Sequence, residues 1–112
     1  MATHQRMMQL QQTTNLKPIN CHHDAHGDPA VTRDPETLCI ASGDQAEWTS
    51  SEGRNFKVTF ARGKSPFSEE TFHIPKSGSV ISGPIIGKAG KYKYSVEDDH
   101  GRIKDPTIIV EN

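Results

Sequence analysis

Apolar and polar side chains alternate in short runs along most of this chain. Phe56, Val58 and Phe60 are separated by Lys57 and Thr59, and Tyr92, Tyr94 and Val96 by Lys93 and Ser95. Neighbouring side chains of a strand point to opposite faces, so strict alternation over five residues predicts a half-buried strand. Leu38 and Ile40 repeat the pattern around Cys39, and Ile108 and Val110 repeat it around Ile109. Weaker strand signals cover residues 30–33, 45–50, 71–74 and 79–81. No segment sustains a 3.6-residue period, so helix is limited to a turn or two.

Turn chemistry punctuates these runs. Ser42-Gly43-Asp44, Glu52-Gly53-Arg54, Arg62-Gly63-Lys64, Lys76-Ser77-Gly78, Lys88-Ala89-Gly90 and His100-Gly101 each place glycine where a positive φ would be cheap. Pro66, Pro75, Pro84 and Pro106 fall outside the clearest alternating runs, where a missing N–H costs no ladder bond. Short strands with a turn every 8–12 residues or so predict an all-β sandwich or barrel. Residues 1–28 lack either period and read as a flexible polar segment, with Met7, Met8 and Leu10 its sole apolar face. Residues 29–112 read as the folded domain.

Composition narrows the functional classes. The 112 residues carry 13 basic and 14 acidic side chains, a net charge of -1, which supplies no electrostatic footprint for nucleic acid or an anionic membrane. Only 32% of residues are hydrophobic, so the core must be thin. No run approaches the ~20 apolar residues a spanning helix needs. Residues 1–20 show no apolar signal core or cleavage site, which sets the expectation of a cytoplasmic protein. Cys21 and Cys39 permit one disulfide, which would contribute roughly 3 kcal/mol through loop closure in an oxidising space. In a reducing one they are two free thiols, with Cys39 at an outward-facing strand position.

Several segments, in order, carry a family resemblance. Gly43-Asp44-Gln45-Ala46-Glu47-Trp48 resembles the Gly-Asp-x-Val-x-Trp strand of cupredoxins, and Phe56-Lys57-Val58-Thr59-Phe60 resembles their His-x-Val-x-Phe strand. Gly90 to Val96 is similar to the Gly-x-Tyr-x-Tyr-x-Cys strand that leads into the copper loop, and Asp105 to Val110 to the closing strand. The resemblance covers about three-quarters of the chain and implies an antiparallel Greek-key β-sandwich. It does not bring a cofactor with it. A blue-copper centre takes two imidazoles and a thiolate, usually with an axial Met. The family's first His falls on Phe56 and its Cys on Val96; His100 lies close to the second His, and no Met follows Met8.

Other candidate chemistry is sparse. Cys21, His22, His23 and His26 bring thiolate and imidazole donors together, ligand types suited to Zn²⁺ and Cu²⁺, with His22 and His26 spaced for one helical face. After removal of Met1, Ala2-Thr3-His4 would form a square-planar amine, amide and imidazole site for Cu²⁺ or Ni²⁺. Residues 82–88 end in Gly-Lys but begin with Ser82 and are followed by Ala89 where a phosphate loop needs Gly and Ser or Thr, so they read as a turn. Glu97, Asp98, Asp99 and His100 read as a solvated turn, and Glu69, Glu70 and half-exposed His73 as surface. Trp48, Phe56, Phe60, Tyr92 and Tyr94 are assigned to the core. Phe67, beside Pro66 in a loop, is either packed over the sandwich end or an exposed contact anchor.

No catalytic residue is assigned. The expectation is a copper-free binding or structural module with a protein partner. The alternative is a metal-handling protein that takes Cu, Zn or Ni through the Cys21–His26 cluster.

Overall fold

The computed structural model describes residues 15–112. Within them the chain is all strand and turn. The strands are β1 (Asn15–His23), β2 (Pro29–Val31), β3 (Glu36–Cys39), β4 (Asp44–Ser50), β5 (Phe56–Thr59) and β6 (Thr71–Ile74). They continue with β7 (Ser79–Ile81), β8 (Gly90–Lys93), β9 (Ser95–Asp98), β10 (Ile103–Lys104) and β11 (Thr107–Glu111). One layer has the order β2-β1-β4-β7. Opposite it lie β10-β9-β5-β6 and β3-β11-β8, two sheets joined through the chain that runs from β8 into β9.

Alternation fills the space between the layers. Along β4 every second residue is buried, which sends Ala46 and Trp48 inward and leaves Gln45, Glu47 and Thr49 partly exposed. Ile19 and Cys21 of β1 join them from the same layer; Leu38, Val58, Phe72, Ile74, Val96, Ile108 and Val110 come from the other. Trp48 is fully buried and meets Phe60, Phe67, Phe72 and Tyr94 at ring-centroid distances of 5.0–6.3 Å. Its indole N–H donates to the Tyr94 hydroxyl at 3.4 Å, which satisfies the polar edge of an otherwise apolar cluster. Phe67 is 2% exposed, so of its two sequence readings the packed one holds. Tyr92, assigned to the core, is half-buried at its margin.

The segment expected to be a flexible tail contains a central strand. β1 pairs in parallel with β4 from Asn15↔Asp44 to Cys21↔Ser50 and antiparallel with β2 from Cys21↔Val31 to His23↔Pro29. Its sequence hides this because Leu16, Pro18, Ile19 and Cys21 keep no single phase; only Ile19 and Cys21 face the core. Pro18 is tolerated because β2 reaches only Cys21–His23, leaving one edge of β1 open at the proline. Met7, Met8, Leu10 and Ala2-Thr3-His4 lie outside the described residues. The sandwich is mostly antiparallel, with β1–β4 and β3–β11 as parallel pairs. The expected single strand over residues 92–96 is broken at Tyr94, whose N–H donates to Pro106 O as the chain passes from one sheet to the next.

Candidate functional site

At one end of the sandwich the alternation of β5 and β9 delivers four side chains to adjacent positions. Phe56 pairs with Asp98 and Val58 with Val96 across the two strands. Phe56 and Val96 are 3% and 0% exposed, so the first His position and the Cys position implied by the resemblance are hydrocarbon inside the core. Asp98 continues the inward phase after Val96 and is itself buried. His100, near the second His position, is exposed in the turn and contributes its backbone N–H to Asp98 Oδ1 at 2.9 Å.

The imidazole at this end comes instead from β1. His23 stacks on Phe56 with ring centroids 5.3 Å apart. Its Nδ1 lies 2.7 Å from Glu52 Oε1 and its Nε2 lies 2.9 Å from Asp98 Oδ2. A neutral imidazole has one donor and one acceptor nitrogen, whereas carboxylates only accept, so two carboxylate partners select the doubly protonated cation. The Glu52 hydrogen bond therefore raises the His23 pKa against the lowering effect of burial and of Arg54, with Asp98 adding to the rise. Glu52 also accepts the His23 backbone N–H at 2.9 Å, so both of its oxygens hold His23.

Asp98 is the other half of this arrangement. Burial pushes its pKa up, but the His23 hydrogen bond, the N–H groups of Arg102 and His100 and the His23 charge together bring it down to about 2. Both backbone donors reach Oδ1 at 2.9 Å while Oδ2 is left for His23, so both oxygens of this carboxylate are engaged. Arg54 and Asp99 close the outer side of the turn at 2.6 Å, and Arg102 donates to Gly27 O at 2.6 Å, tying the β9–β10 turn to the β1–β2 turn. Glu97–His100 is thus not a wholly solvated turn: Asp98 is a buried acceptor, and its partner His23 lies 75 residues away in sequence.

The four candidate metal ligands are distributed rather than gathered. Strand alternation puts Cys21 in the core, His22 on the opposite face and His23 in the carboxylate pair, while His26 is exposed in a turn held by Asp24. The helical spacing of His22 and His26 has no counterpart, because residues 15–23 are strand. Burial pushes the Cys21 thiol up to about 12, far from the thiolate a metal needs. Among the described residues no three His, Cys, Asp or Glu side chains converge as a metal site would require. Cys21 and Cys39 are free thiols; Cys39 is partly exposed, and a Ser42 hydrogen bond lowers its pKa.

Residues 82–88 form the loop expected of them. Their Ile86 and Gly87 N–H groups donate to Pro66 O at 2.8 and 3.1 Å. His73, Glu69 and Glu70 are surface positions; Glu70 accepts the Gly63 N–H at 2.6 Å.

The arrangement of strands is that of the cupredoxin-like fold. A solved structure of a reduced amicyanin mutant matches this chain with a TM-score of 0.51 and 18% sequence identity over 70% of each chain. At that identity the likeness concerns the fold. No protein-family model matches the chain, and no curated protein matches it. No helix among the described residues is long and apolar enough to cross a membrane.

Proposed function

We propose that this chain is a copper-free cupredoxin-like module that works by binding, as a scaffold for its surface grooves and loops, rather than by electron transfer or catalysis. The observation that carries the reading is the content of the sandwich end. The positions that the resemblance gives to the Cys and first His of the blue-copper pattern hold Val96 and Phe56, both inside the core. A trigonal thiolate–imidazole set cannot be assembled from hydrocarbon side chains. The imidazole that does reach this end, His23, has both nitrogens engaged by carboxylates. This cluster pins β1 to the β5–β9 pair and leaves no lone pair for a metal. The donor set therefore does not fit a blue-copper ion, and no redox step is routed through one.

The test is a titration of the purified protein with Cu²⁺ followed by visible absorption. The expected result is no intense thiolate-to-copper band at any stoichiometry. A band of that kind, lost in Cys21→Ser or Cys39→Ser, would overturn the reading, because it would show a thiolate recruited into a site.

A further inference from the structure

The two sheets of the second layer part company along one line, and a groove opens there. β5 pairs with β9 as far as Thr59↔Ser95. Before Ser95 the chain is β8, which pairs with β11 and with no other strand among the described residues. Phe60 still follows the β5–β6 ladder, its N–H donating to Glu70 O at 2.8 Å, and residues 61–64 then turn, with the Lys64 N–H on Ala61 O at 2.9 Å. Between them lies a groove of about 430 Å³ lined by Ala61, Gly63, Lys64, Lys91, Tyr92 and Lys93. A shallower depression of about 300 Å³ shares Ala61 and Lys93 with it and extends it along Tyr94 and Ser95.

The lining is cationic. Lys91 and Lys93 are exposed and lie two apart on β8, so both point to one face, with Tyr92 between them on the other. None of Lys64, Lys91 and Lys93 is ion-paired among the described residues. Glu70 on the facing loop accepts the Gly63 N–H at 2.6 Å, and Asp105, whose backbone O accepts the Lys93 ammonium at 3.5 Å, lines the adjoining depression. Tyr92 is fixed by its hydroxyl, which donates to Lys88 O at 2.6 Å. Gly87 permits that floor: a Cβ there would come within 2.7 Å of the Tyr92 hydroxyl and 3.1 Å of Pro66 Cα.

An unpaired strand edge accepts an extended peptide as a further strand, the backbone supplying affinity and alternate side chains the selectivity. Side chains of an added strand stand beside those of β8 and repeat at every second residue, roughly 7 Å apart at strand rise. Acidic residues at alternate positions would therefore meet Lys91 and Lys93, while the residue between them would lie over Tyr92. We propose that the open edge of β8 is a docking site for an extended acidic segment of a partner protein, with Asp or Glu at alternate positions and an apolar residue between them. This deepens the binding-module reading and rests on it. Lysines also protect exposed edges against self-association, so spacing is what distinguishes recognition from protection.

The test uses the full chain and fluorescein-labelled peptides. One carries a Glu-Val-Glu-Val-Glu run and another the same residues rearranged as Glu-Glu-Glu-Val-Val. Fluorescence anisotropy at low and physiological salt reports affinity, and backbone amide shifts report the location. The expected result is binding of the alternating peptide at least tenfold tighter than the rearranged one, with the largest amide shifts along residues 90–93. Binding should fall at least tenfold in both Lys91→Glu/Lys93→Glu and the milder Lys91→Gln/Lys93→Gln variant, each checked for fold by its amide spectrum. Equal affinity for both peptides would overturn the proposal in favour of an unspecific cationic patch. No binding, with self-association in the Gln variant, would overturn it in favour of edge protection. Either failure leaves the binding-module reading standing, since that reading falls on the copper titration and not on these peptides.

Discussion

Replacing Asp98 by Asn tests the carboxylate–imidazolium–carboxylate lock at the end of the sandwich. The new side chain is almost isosteric, and its oxygen keeps the His100 and Arg102 N–H groups that reach Oδ1. On the other side, an amide N–H₂ now faces His23 Nε2, donor against donor while the imidazole is charged. The clash is relieved when His23 gives up its proton, so the variant loses the ion pair and keeps a neutral hydrogen bond. The magnitude follows from Asp98 itself, whose pKa falls from an ordinary 3.8 to about 2 on folding. That difference corresponds to about 2 kcal/mol of stability at about 1.4 kcal/mol per pH unit. For a carboxylate whose pKa is lowered in the folded state, the contribution is complete above the unfolded pKa and is lost as pH falls through the folded one. For His23, raised on folding, it is complete below the ordinary 6.5 and is lost as pH rises through the raised value. The stability gap between wild type and Asp98→Asn should therefore be widest between about pH 4 and 6.5, at about 2 kcal/mol. It should narrow on both sides. Urea unfolding followed by far-ultraviolet circular dichroism at several pH values measures it, and a gap of this size moves the midpoint by roughly 1–2 M. A gap that stays constant from pH 2.5 to 8, or is absent at pH 5.5, would refute the reasoning.

Three further outcomes are expected. Phe67→Ala should lower stability by about 3 kcal/mol or more, since it empties a buried site against Trp48, Phe60 and Phe72, and should leave β8-edge peptide binding unchanged; urea unfolding and anisotropy separate the two. In native protein at neutral pH an aromatic disulfide reagent should modify Cys39 quickly and Cys21 only after denaturant is added, because one thiol is partly exposed with a lowered pKa and the other is buried; two fast equivalents would contradict this. Dialysis against Zn²⁺ followed by elemental analysis should give the same retention in wild type and in a His22→Ala/His26→Ala variant, since these imidazoles are not brought to one point; an equivalent lost in the variant would show that they are.

Local alternation located β3, β5, β11 and the β8–β9 run, because a half-buried strand writes its period directly into the residues that form it. β5 and β11 bury the residues whose spacing announced them, the weaker signals at 45–50 and 71–74 fall on β4 and β6, and the ordered likeness of these segments to cupredoxins carried the fold. β1 was illegible for a physical reason: Leu16 and Pro18 stand outside the core phase, and the strand exists because β4 offers it a parallel ladder. The acidic turn misled for a related reason. A buried carboxylate is recognised by its partner, and the partner of Asp98 is an imidazole on a strand that the local pattern did not reveal. The Cys21–His26 run reads as a cluster on paper, but the two-residue repeat of a strand sends neighbours to opposite faces and dissolves it. The β8 groove is not encoded in any single segment at all. The sequence by itself determined which residues alternate and where the chain turns. Tertiary structure decided which acid is buried, which histidine lies between two carboxylates and which strand edge stays open, because each depends on groups that meet only when distant strands pair.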